Sequence, residues 1–296
     1  MIHDDALLES KQRGLAYALG GSVRLEWAGR VSGGDINQAA LVSDGTTRWF
    51  LKYHQNAPDG MFEAEAQALS EIAAQDCIKV PEAIACGSAD YTGWLLLEHL
   101  ELKAHGSEAL LGEQLAAMHR VTADQHGWNR DNFIGSTPQC NAPSDDWLQF
   151  WRDCRLKPQL EMAHAAGFRG NLANAGGRLL ENLHLLLAGY EPSPSLLHGD
   201  LWSGNKAFIA DGRPVIFDPA SYYGDRETDI AMTELFGGFV ADFYAAYNAS
   251  YPLPGGYRLR RELYNLYHLL NHLNLFGGGY LSRCERTIDN LLAQVT

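Results

Sequence analysis

The stretch LLHGDLWSGNKAFIADGRPVIFDPA, residues 196–220, decides the fold of this 296-residue chain. Asp200, in the tripeptide His-Gly-Asp, stands five positions before Asn205, and an apolar segment leads directly into Asp218. Phosphoryl transfer from ATP needs one carboxylate to orient or deprotonate the attacking hydroxyl, and an amide and a second carboxylate to hold Mg²⁺. The three residues could instead cap turns in an ordinary loop, but their combined spacing favours phosphoryl transfer.

An enzyme that transfers a phosphoryl group from ATP also needs a phosphate-binding lysine, which in kinases is paired with a glutamate on a helix. The N-terminal part of the chain offers a candidate for each of the two residues. Lys52 ends the apolar run WFLK after a turn at Asp44-Gly45, although by itself it could be a solvated edge residue. The following segment, Met61–Ala74, has helical spacing. Glu65 borders its apolar face and is the predicted partner of Lys52, whereas Glu63 is expected to be solvated.

A glycine-rich segment, Ser32–Asn37 (SGGDIN), lies between two predicted strands, where glycines let the backbone approach phosphates. Taken alone it could be an ordinary β-turn. The chain has no G-x-G-x-x-G and no G-x4-G-K-[ST], and Lys52 lies far in sequence from the acidic cluster. A P-loop NTPase and a Rossmann enzyme are therefore disfavoured.

Hydrophobic patterning predicts an α+β chain with two lobes. A small antiparallel sheet lobe is expected over residues 1–98, a hinge over 99–101, and a larger, mostly helical lobe over 102–296. The first lobe has an N-terminal helix, the helix Met61–Ala74 and the strands Val23–Ala28, Ile36–Ser43, Thr47–Tyr53, Ala83–Cys86 and Trp94–Glu98. The second has a short hairpin around Asp211-Gly212 and the helices Glu108–Arg120, Asp146–Ala166, Asn171–Leu187, Asp225–Phe236, Asp242–Ser250 and Arg258–Phe276.

Charge and cysteine content exclude several classes of protein. With 23 Lys and Arg against 36 Asp and Glu, the net charge is −13, which argues against nucleic-acid binding. The five cysteines form no C-x-x-C and fit a reducing compartment. The first ten residues do not resemble a signal peptide, and no apolar run is long enough for a membrane span. We expect a soluble, cytoplasmic protein; its oligomeric state is left open.

The chain resembles the fructosamine kinase (ketosamine-3-kinase) family, a branch of the protein-kinase-like fold related to aminoglycoside and choline kinases. The resemblance spans nearly the whole chain in collinear order. HGDLWSGN and DPASYYGDRETD are its most specific segments. The others are GGDINQA (33–39), FLK (50–52), MFEAEAQAL (61–69), LAAMHR (115–120), GWNRDNFIGSTPQCN (127–141) and RLKPQL (155–160).

This resemblance implies ATP- and Mg²⁺-dependent phosphorylation of the 3-hydroxyl of a ketoamine on a free or protein-bound amine. The product then breaks down and frees the amine, which is deglycation. By position, the resemblance implies that Asp200 is the catalytic base and that Asn205 and Asp218 are Mg²⁺ ligands. Lys52, paired with Glu65, would hold the α- and β-phosphates, and Gly33 and Gly34 would cover them. The backbone groups of Glu98, His99 and Leu100 would bind adenine, and Asp229 would brace the loop that carries Asp200.

Three further residues are candidates for substrate contact. The face of Trp202 could stack on a sugar or amine, or the ring could pack beneath the catalytic loop. Asn132 lies in a predicted loop, where binding residues concentrate. Glu227 could meet a protonated amine, or be tied to Arg226 or Lys206.

Two alternatives to a ketoamine kinase remain. One is a kinase of another small-molecule hydroxyl, such as choline, an aminoglycoside or a sugar. The other is a pseudokinase scaffold, which the complete set of catalytic residues disfavours. His268 and His272 have the i, i+4 spacing of a metal pair, but no glutamate lies between them as in H-E-x-x-H, so a structural role is expected.

Overall fold

The computed structural model describes Leu15, Leu19 and residues 24–31, 37–89 and 91–295. Its contacts divide the chain into two compact units. The first runs up to Gly106 and also includes Ala207–Asp218; the second comprises Ser107–Lys206 and the chain from Pro219 onward. The hinge over 99–101 stays a prediction, and the contacts differ from the predicted lobes in grouping Ala207–Asp218 with the N-terminal strands.

The first unit is built on a five-stranded antiparallel sheet and a helix. The elements are β1 (Glu26–Val31), β2 (Gln38–Ser43), β3 (Arg48–Gln55), α1 (Met61–Ala74), β4 (Ala83–Ala89) and β5 (Thr92–Glu98). The strand order in the sheet is β1-β2-β3-β5-β4. The Asp44 carboxylate accepts the amides of Thr46 and Thr47, and Gly45 has a φ of 91°, so this turn fixes the register of β2 on β3. The predicted strands and the helix Met61–Ala74 are confirmed, whereas the N-terminal helix falls mostly outside the described residues.

A hairpin formed by Lys206–Phe208 and Pro214–Ile216 brings Asp218 into the first unit. Phe208 and Lys103 exchange two backbone hydrogen bonds, of 2.7 and 3.0 Å, and the Ile216 amide donates to the Lys79 carbonyl at 3.1 Å. These long-range bonds explain why the segment belongs with the N-terminal strands rather than with the helices on either side of it in sequence.

The second unit is mostly helical. The long helix predicted over 146–166 is interrupted by a π-helical turn at Arg152–Leu156. Two short strand pairs, Asn132–Ile134 with Thr137–Gln139 and Ser195–Leu196 with Tyr223–Gly224, were not predicted, nor was the last helix. The helices are α2 (Glu108–His119), α3 (Trp147–Trp151), α4 (Lys157–Ala165), α5 (Asn171–Leu186), α6 (Glu227–Leu235), α7 (Ala241–Ser250), α8 (Tyr257–Phe276) and α9 (Leu281–Leu292). None of the helices in the described ranges is long and apolar enough to cross a membrane.

Helices α2 and α7 approach closely at Gly112. A Cβ at this position would lie 2.3 Å from the Phe243 carbonyl oxygen and 2.9 Å from the Tyr247 amide nitrogen. Because both atoms belong to the backbone, the contact cannot be relieved by a rotamer change. Gly112 therefore lets the two helices pack at this distance.

Gly112→Ala should lower the free energy of unfolding by about 1–3 kcal/mol, since overpacking moves the backbone of α7. The matched control is Gly177→Ala in α5, where a Cβ would meet no heavy atom within 4 Å. That control should raise the free energy of unfolding by up to about 1 kcal/mol. Urea unfolding of both variants checks the pair; equal effects of the two substitutions would contradict this account of α2 and α7.

Candidate functional site

Lys52 is held between two carboxylates in the first unit. It lies on β3 and is only 4% exposed. Its Nζ donates to Glu65 Oε1 at 2.6 Å and to Asp218 Oδ1 at 3.0 Å. Burial alone would lower the pKa of Lys52, but attraction to Asp218 and Glu65 raises it well above its ordinary value. The ammonium therefore stays charged, as a phosphate-binding lysine must.

Glu65 is the glutamate on α1 that reaches Lys52, as the apolar face of the helix predicted. Its side chain is 11% exposed, and burial raises its pKa above the ordinary value while Lys52 opposes that shift. The neighbouring Glu63 points to solvent. The pair Lys52–Glu65 thus fixes the lysine's head group.

Asp218 follows the hairpin with a φ of 59°, a left-handed conformation that is uncommon outside glycine. Its Oδ1 accepts from Lys52, its side chain is 44% exposed, and its Oδ2 makes no hydrogen bond to any residue in the described ranges. Strained backbone of this kind concentrates at functional sites. One oxygen of Asp218 is therefore fixed by Lys52, and the other is available to a ligand.

Asp200 and Asn205 are held together in the loop His198–Asn205 of the second unit, which is the predicted catalytic loop. Asn205 closes a short 3₁₀ turn, Ser203–Asn205, and its Nδ2 donates to the Asp200 carbonyl at 2.9 Å and to Asp200 Oδ2 at 3.2 Å. With its nitrogen committed to Asp200, the amide leaves its Oδ1 as the atom that could hold a cation. Its side-chain oxygen makes no hydrogen bond within the described part of the chain.

Asp229, at the start of α6, anchors this loop from behind. Its Oδ2 accepts the His198 amide at 2.7 Å and its Oδ1 accepts the Gly199 amide at 2.8 Å. Burial alone would raise the pKa of Asp229, but the hydrogen bond from His119 and the Gly199 amide lower it below its ordinary value. Asp229 therefore stays ionised and has the bracing position that the resemblance implied.

His119 completes this anchor and is fully buried. Its Nε2 lies 3.1 Å from Asp229 Oδ2 and its Nδ1 lies 2.8 Å from the Tyr247 hydroxyl. Burial lowers the pKa of His119 despite Asp229. With both ring nitrogens engaged, this histidine positions Asp229.

Asn205 in the second unit and Asp218 in the first each offer a side-chain oxygen, the kind of ligand that Mg²⁺ takes in proteins, so their predicted role as Mg²⁺ ligands stays a prediction. No group of three or more His, Cys, Asp and Glu side chains within the described ranges could hold a metal. His268 and His272 are joined instead by a bond between His272 Nδ1 and the His268 carbonyl.

The residues predicted to contact the nucleotide are only partly described. Gly33 and Gly34 lie outside the described residues. The Glu98 amide donates to the Glu82 carbonyl at 2.8 Å, and Glu98 Oε2 accepts from Lys79 at 2.6 Å. The Glu98 amide is thus occupied. The use of the His99 and Leu100 backbone groups for adenine stays a prediction.

Trp202 is partly exposed, and its backbone amide donates to the Asp200 carbonyl at 3.1 Å. The residue is 37% exposed, and a Cβ on Gly204 would lie 2.3 Å from its ring. The indole therefore rests on the Gly204 backbone with part of its surface open to solvent, so stacking on a substrate stays a prediction.

Asn132 does not face a substrate. It is buried, its Nδ2 donates to the Ser221 carbonyl at 2.8 Å, and its Oδ1 accepts from Gln139 and Asn141. All of these partners belong to the protein. The interpretation of Asn132 as a substrate contact is corrected to a part of an internal polar network.

Glu227 is likewise committed to the protein. It is fully buried, and its two oxygens accept from Arg260 Nε at 2.7 Å and Nη2 at 2.8 Å. Arg226 instead donates to Tyr247 and to backbone carbonyls, and Lys206 donates to Glu108. Recognition of a substrate amine by Glu227 is therefore corrected, because a bidentate buried partner already neutralises it.

Asp225 lies beside Glu227 and was not singled out from the sequence. It accepts from the Tyr264 hydroxyl at 2.5 Å and from the Glu227 amide at 3.0 Å. Burial, and then the charge of Glu227, raise the pKa of Asp225 to about 7. No local pattern indicates this environment, because the bond of Asp225 to Tyr264 on α8 is a long-range contact.

The part of the free energy of unfolding that Asp225 contributes should therefore fall as pH rises from 5 to 7. The buried histidines, whose pKa burial lowers, change stability in the opposite direction and are common to the wild type and the Asp225 variant. A carboxyl whose folded pKa is raised stabilises fully below its ordinary pKa, and this contribution is lost as pH approaches the folded value. The slope from Asp225 should reach about 1.4 kcal/mol per pH unit. Asp225→Asn, which resembles the protonated carboxyl, should remove this part of the slope. Urea unfolding at pH 5, 6 and 7 compares the two chains, and parallel curves would contradict the assignment.

Comparison of the sequence with known protein families identifies the family of this chain. The family model described as fructosamine kinase matches residues 7–294. The chain belongs to the fructosamine kinase family. The predicted family is thereby confirmed, and the chain is a kinase that acts on a hydroxyl group.

Curated relatives are similar in sequence to this chain over nearly its whole length. A protein of Synechocystis named "Probable ketoamine kinase" is 43% identical over 281 residues, 94% of this chain and 94% of the relative. A chloroplastic protein-ribulosamine 3-kinase of Arabidopsis thaliana is 38% identical over 291 residues, 97% of this chain and 89% of the relative.

Solved structures confirm the fold. One from Haemophilus somnus, named "Putative fructosamine-3-kinase", has a TM-score of 0.88 at 30% identity and covers 96% of this chain and 97% of its own. A choline kinase from Streptococcus pneumoniae has a TM-score of 0.63 at 14% identity, with 97% and 99% covered, and so speaks for the fold alone. The predicted α+β, protein-kinase-like fold is confirmed.

Proposed function

We propose that this kinase transfers the γ-phosphoryl group of ATP to the 3-hydroxyl of a ketoamine, such as fructoselysine or ribuloselysine. The 3-phosphate then breaks down and frees the amine, so the reaction serves deglycation. The carrying observation is the braced catalytic loop, in which Asp229 fixes the backbone of His198 and Gly199 while Asn205 holds Asp200. Membership in the fructosamine kinase family supports the substrate class.

Asp200 is the proposed catalytic base. Its Oδ2 accepts from Asn205, so the carboxylate keeps one orientation, and the second oxygen can receive the proton of the attacking hydroxyl. The reaction needs no covalent enzyme intermediate, because the hydroxyl oxygen attacks phosphorus as the bond to ADP breaks. Asp200 holds the proton after transfer.

Lys52 and the two metal ligands are proposed to act on the phosphates. Lys52, fixed by Glu65, would bind the α- and β-phosphates, and Asn205 and Asp218 would hold Mg²⁺. When bound, Mg²⁺ supplies neutralisation of the charge that develops on the phosphates. Gly33 and Gly34 are proposed to cover the phosphates, and His99 and Leu100 to offer backbone groups to adenine.

Trp202 is the proposed substrate contact. Its ring is partly exposed and its amide donates to the carbonyl of the proposed base, so a sugar or protonated amine stacked on it would be held by the loop that carries Asp200. Aromatic faces favour both kinds of group, because CH groups and cations are attracted to the ring. The high acidity of the chain fits a substrate whose amine is cationic.

A competition assay tests the proposed function. The purified protein is given Mg·ATP with equal concentrations of fructoselysine, ribuloselysine, choline and an aminoglycoside, and each phosphorylated product is quantified by mass spectrometry. We expect one of the two ketoamines to carry most of the phosphate. Faster phosphorylation of choline or the aminoglycoside would overturn the substrate class, and absence of any product would overturn the kinase activity itself.

A further inference from the structure

Gln139 holds the peptide that follows Asp218 by two residues. It ends the strand Thr137–Gln139 and is only 1% exposed. Its Nε2 donates to the Ala220 carbonyl at 3.1 Å and to Asn132 Oδ1 at 2.7 Å, while its Oε1 accepts from the Tyr267 hydroxyl at 2.7 Å. Every polar atom of this buried amide is therefore used, and one bond reaches the backbone at Ala220.

Ala220 in turn lies directly against the catalytic loop. Its amide donates to the His198 carbonyl at 2.9 Å. Gly199 has a φ of 83°, and a Cβ there would lie 2.2 Å from the Ala220 carbonyl oxygen. Only glycine allows this approach, so the Ala220 peptide presses on the residue immediately before Asp200.

Arg155 is a second buried side chain, and it connects to Gln139 through Asn141 and Asn132. Arg155, in the π-helical turn, is fully buried and its guanidinium lies 3.9 Å from the centre of the Tyr222 ring. It donates to the Cys140 carbonyl at 2.5 Å and to Asn141 Oδ1 at 2.8 Å. π-helical turns inside helices recur at functional sites. This one places Arg155 where its guanidinium bonds to the Cys140 carbonyl and to Asn141.

Asn141 and Asn132 connect Arg155 to Gln139. Asn141 Nδ2 donates to Asn132 Oδ1 at 2.8 Å, and Asn132 Nδ2 donates to the Ser221 carbonyl at 2.8 Å. Two consecutive carbonyls, of Ala220 and Ser221, are thus held by buried side-chain amides. Backbone fixed at two successive peptides cannot rotate without breaking a buried hydrogen bond, which is costly.

We propose that Gln139 is a positioning residue for phosphoryl transfer, which holds the Ala220 peptide against Gly199 and thereby sets the orientation of Asp200. The inference rests on the proposed function, because it assigns Gln139 a part in the reaction that Asp200 carries out. It also explains why a polar side chain is kept in the core of the second unit, where an apolar residue would otherwise stabilise more.

Gln139→Glu tests this with little change of shape. It places an oxygen where Nε2 donates, opposite the Ala220 carbonyl and Asn132 Oδ1. The matched control is Gln159→Glu, because Gln159 is also 1% exposed and its bonds run to Asn271, Asn274 and Tyr267 on α8 instead of to the loop. It shares Tyr267 with Gln139 but makes no bond to Ala220, so the comparison isolates the bond to the Ala220 carbonyl. Both substitutions should lower the free energy of unfolding, so stability alone does not distinguish them.

Two measurements do distinguish them. For Gln139→Glu we expect kcat to fall by about 10²-fold with the KM for ATP within about twofold of wild type, since a misplaced base slows chemistry rather than nucleotide binding. Hydrogen exchange of the His198–Asp200 amides should accelerate in Gln139→Glu. In Gln159→Glu both kcat and this exchange should stay close to wild type.

Gln139→Ala is the second variant and should behave like Gln139→Glu. Equal kcat in the Gln139 and Gln159 variants, or unchanged exchange at 198–200 in both Gln139 variants, would overturn the positioning role. Failure of the wild type to phosphorylate any ketoamine would overturn the proposed function instead. The exchange comparison needs no substrate and would still decide whether Gln139 holds the loop.

Discussion

Asp200→Asn should lower kcat for ketoamine phosphorylation by about 10³-fold, within the range that a lost general base costs. The asparagine oxygen can still accept from Asn205, which now donates to Asp200 Oδ2 at 3.2 Å, so the shape of the loop is retained. What is lost is the negative charge and the ability to take the hydroxyl proton. The KM for ATP should change little, because Asp200 is assigned to the acceptor hydroxyl.

Steady-state kinetics with fructoselysine and Mg·ATP measure this effect. Asp124→Asn, at an exposed aspartate of the same unit, is the control and should leave kcat unchanged. Circular dichroism melting should give similar Tm values for all three chains. Turnover of Asp200→Asn within about tenfold of wild type would show that another group takes the proton.

Asp218→Asn is expected to have an effect of similar size, about 10³-fold on kcat, through loss of metal-ion charge stabilisation. Its amide oxygen can still accept from Lys52, which lies 3.0 Å from Asp218 Oδ1. The neutral side chain nevertheless binds a hard cation more weakly than a carboxylate does. It also removes one of the two charges that hold the pKa of Lys52 above its ordinary value.

A Mg²⁺ titration separates this loss from misfolding. Asp218→Asn should need a higher Mg²⁺ concentration for half-maximal rate than wild type. The control is Asp211→Asn, at the exposed turn of the same hairpin, where the carboxylate accepts from the side chain and the amide of Arg213. That variant should keep the wild-type Mg²⁺ dependence. An unchanged Mg²⁺ dependence in Asp218→Asn would contradict its role as a metal ligand.

Much of the first unit could be predicted from the sequence because its signals are local. Alternation of apolar residues and the Asp44-Gly45 turn predicted the strands, and Met61–Ala74 has the predicted helix limits. The partnership of Lys52 with Glu65 followed from the face of that helix, and a distance of 2.6 Å confirms the contact. Assignment of Asp218 to this unit could not be predicted, because it depends on bonds from Phe208 and Ile216 to distant residues.

The polar residues of the second unit were harder to interpret. In sequence, Asn132 and Glu227 look like surface residues of loops, and nothing local indicates that Ser221 and Arg260 are their partners. The interrupted helix had no visible signal, since a π-turn changes the hydrogen bonds and not the composition. The last helix did have one: apolar residues at 281, 284, 288, 291 and 292 follow a helical period that was overlooked.

The site of phosphorylation on the sugar tests the central claim most directly. Wild-type protein is incubated with Mg·ATP and fructoselysine, and the product is examined at once by two-dimensional phosphorus–proton NMR. We predict that phosphorus couples to the proton on carbon 3 of the sugar, and that free lysine appears as this signal decays. A phosphate on any other hydroxyl, or ATP consumption with no sugar phosphate, would contradict the account.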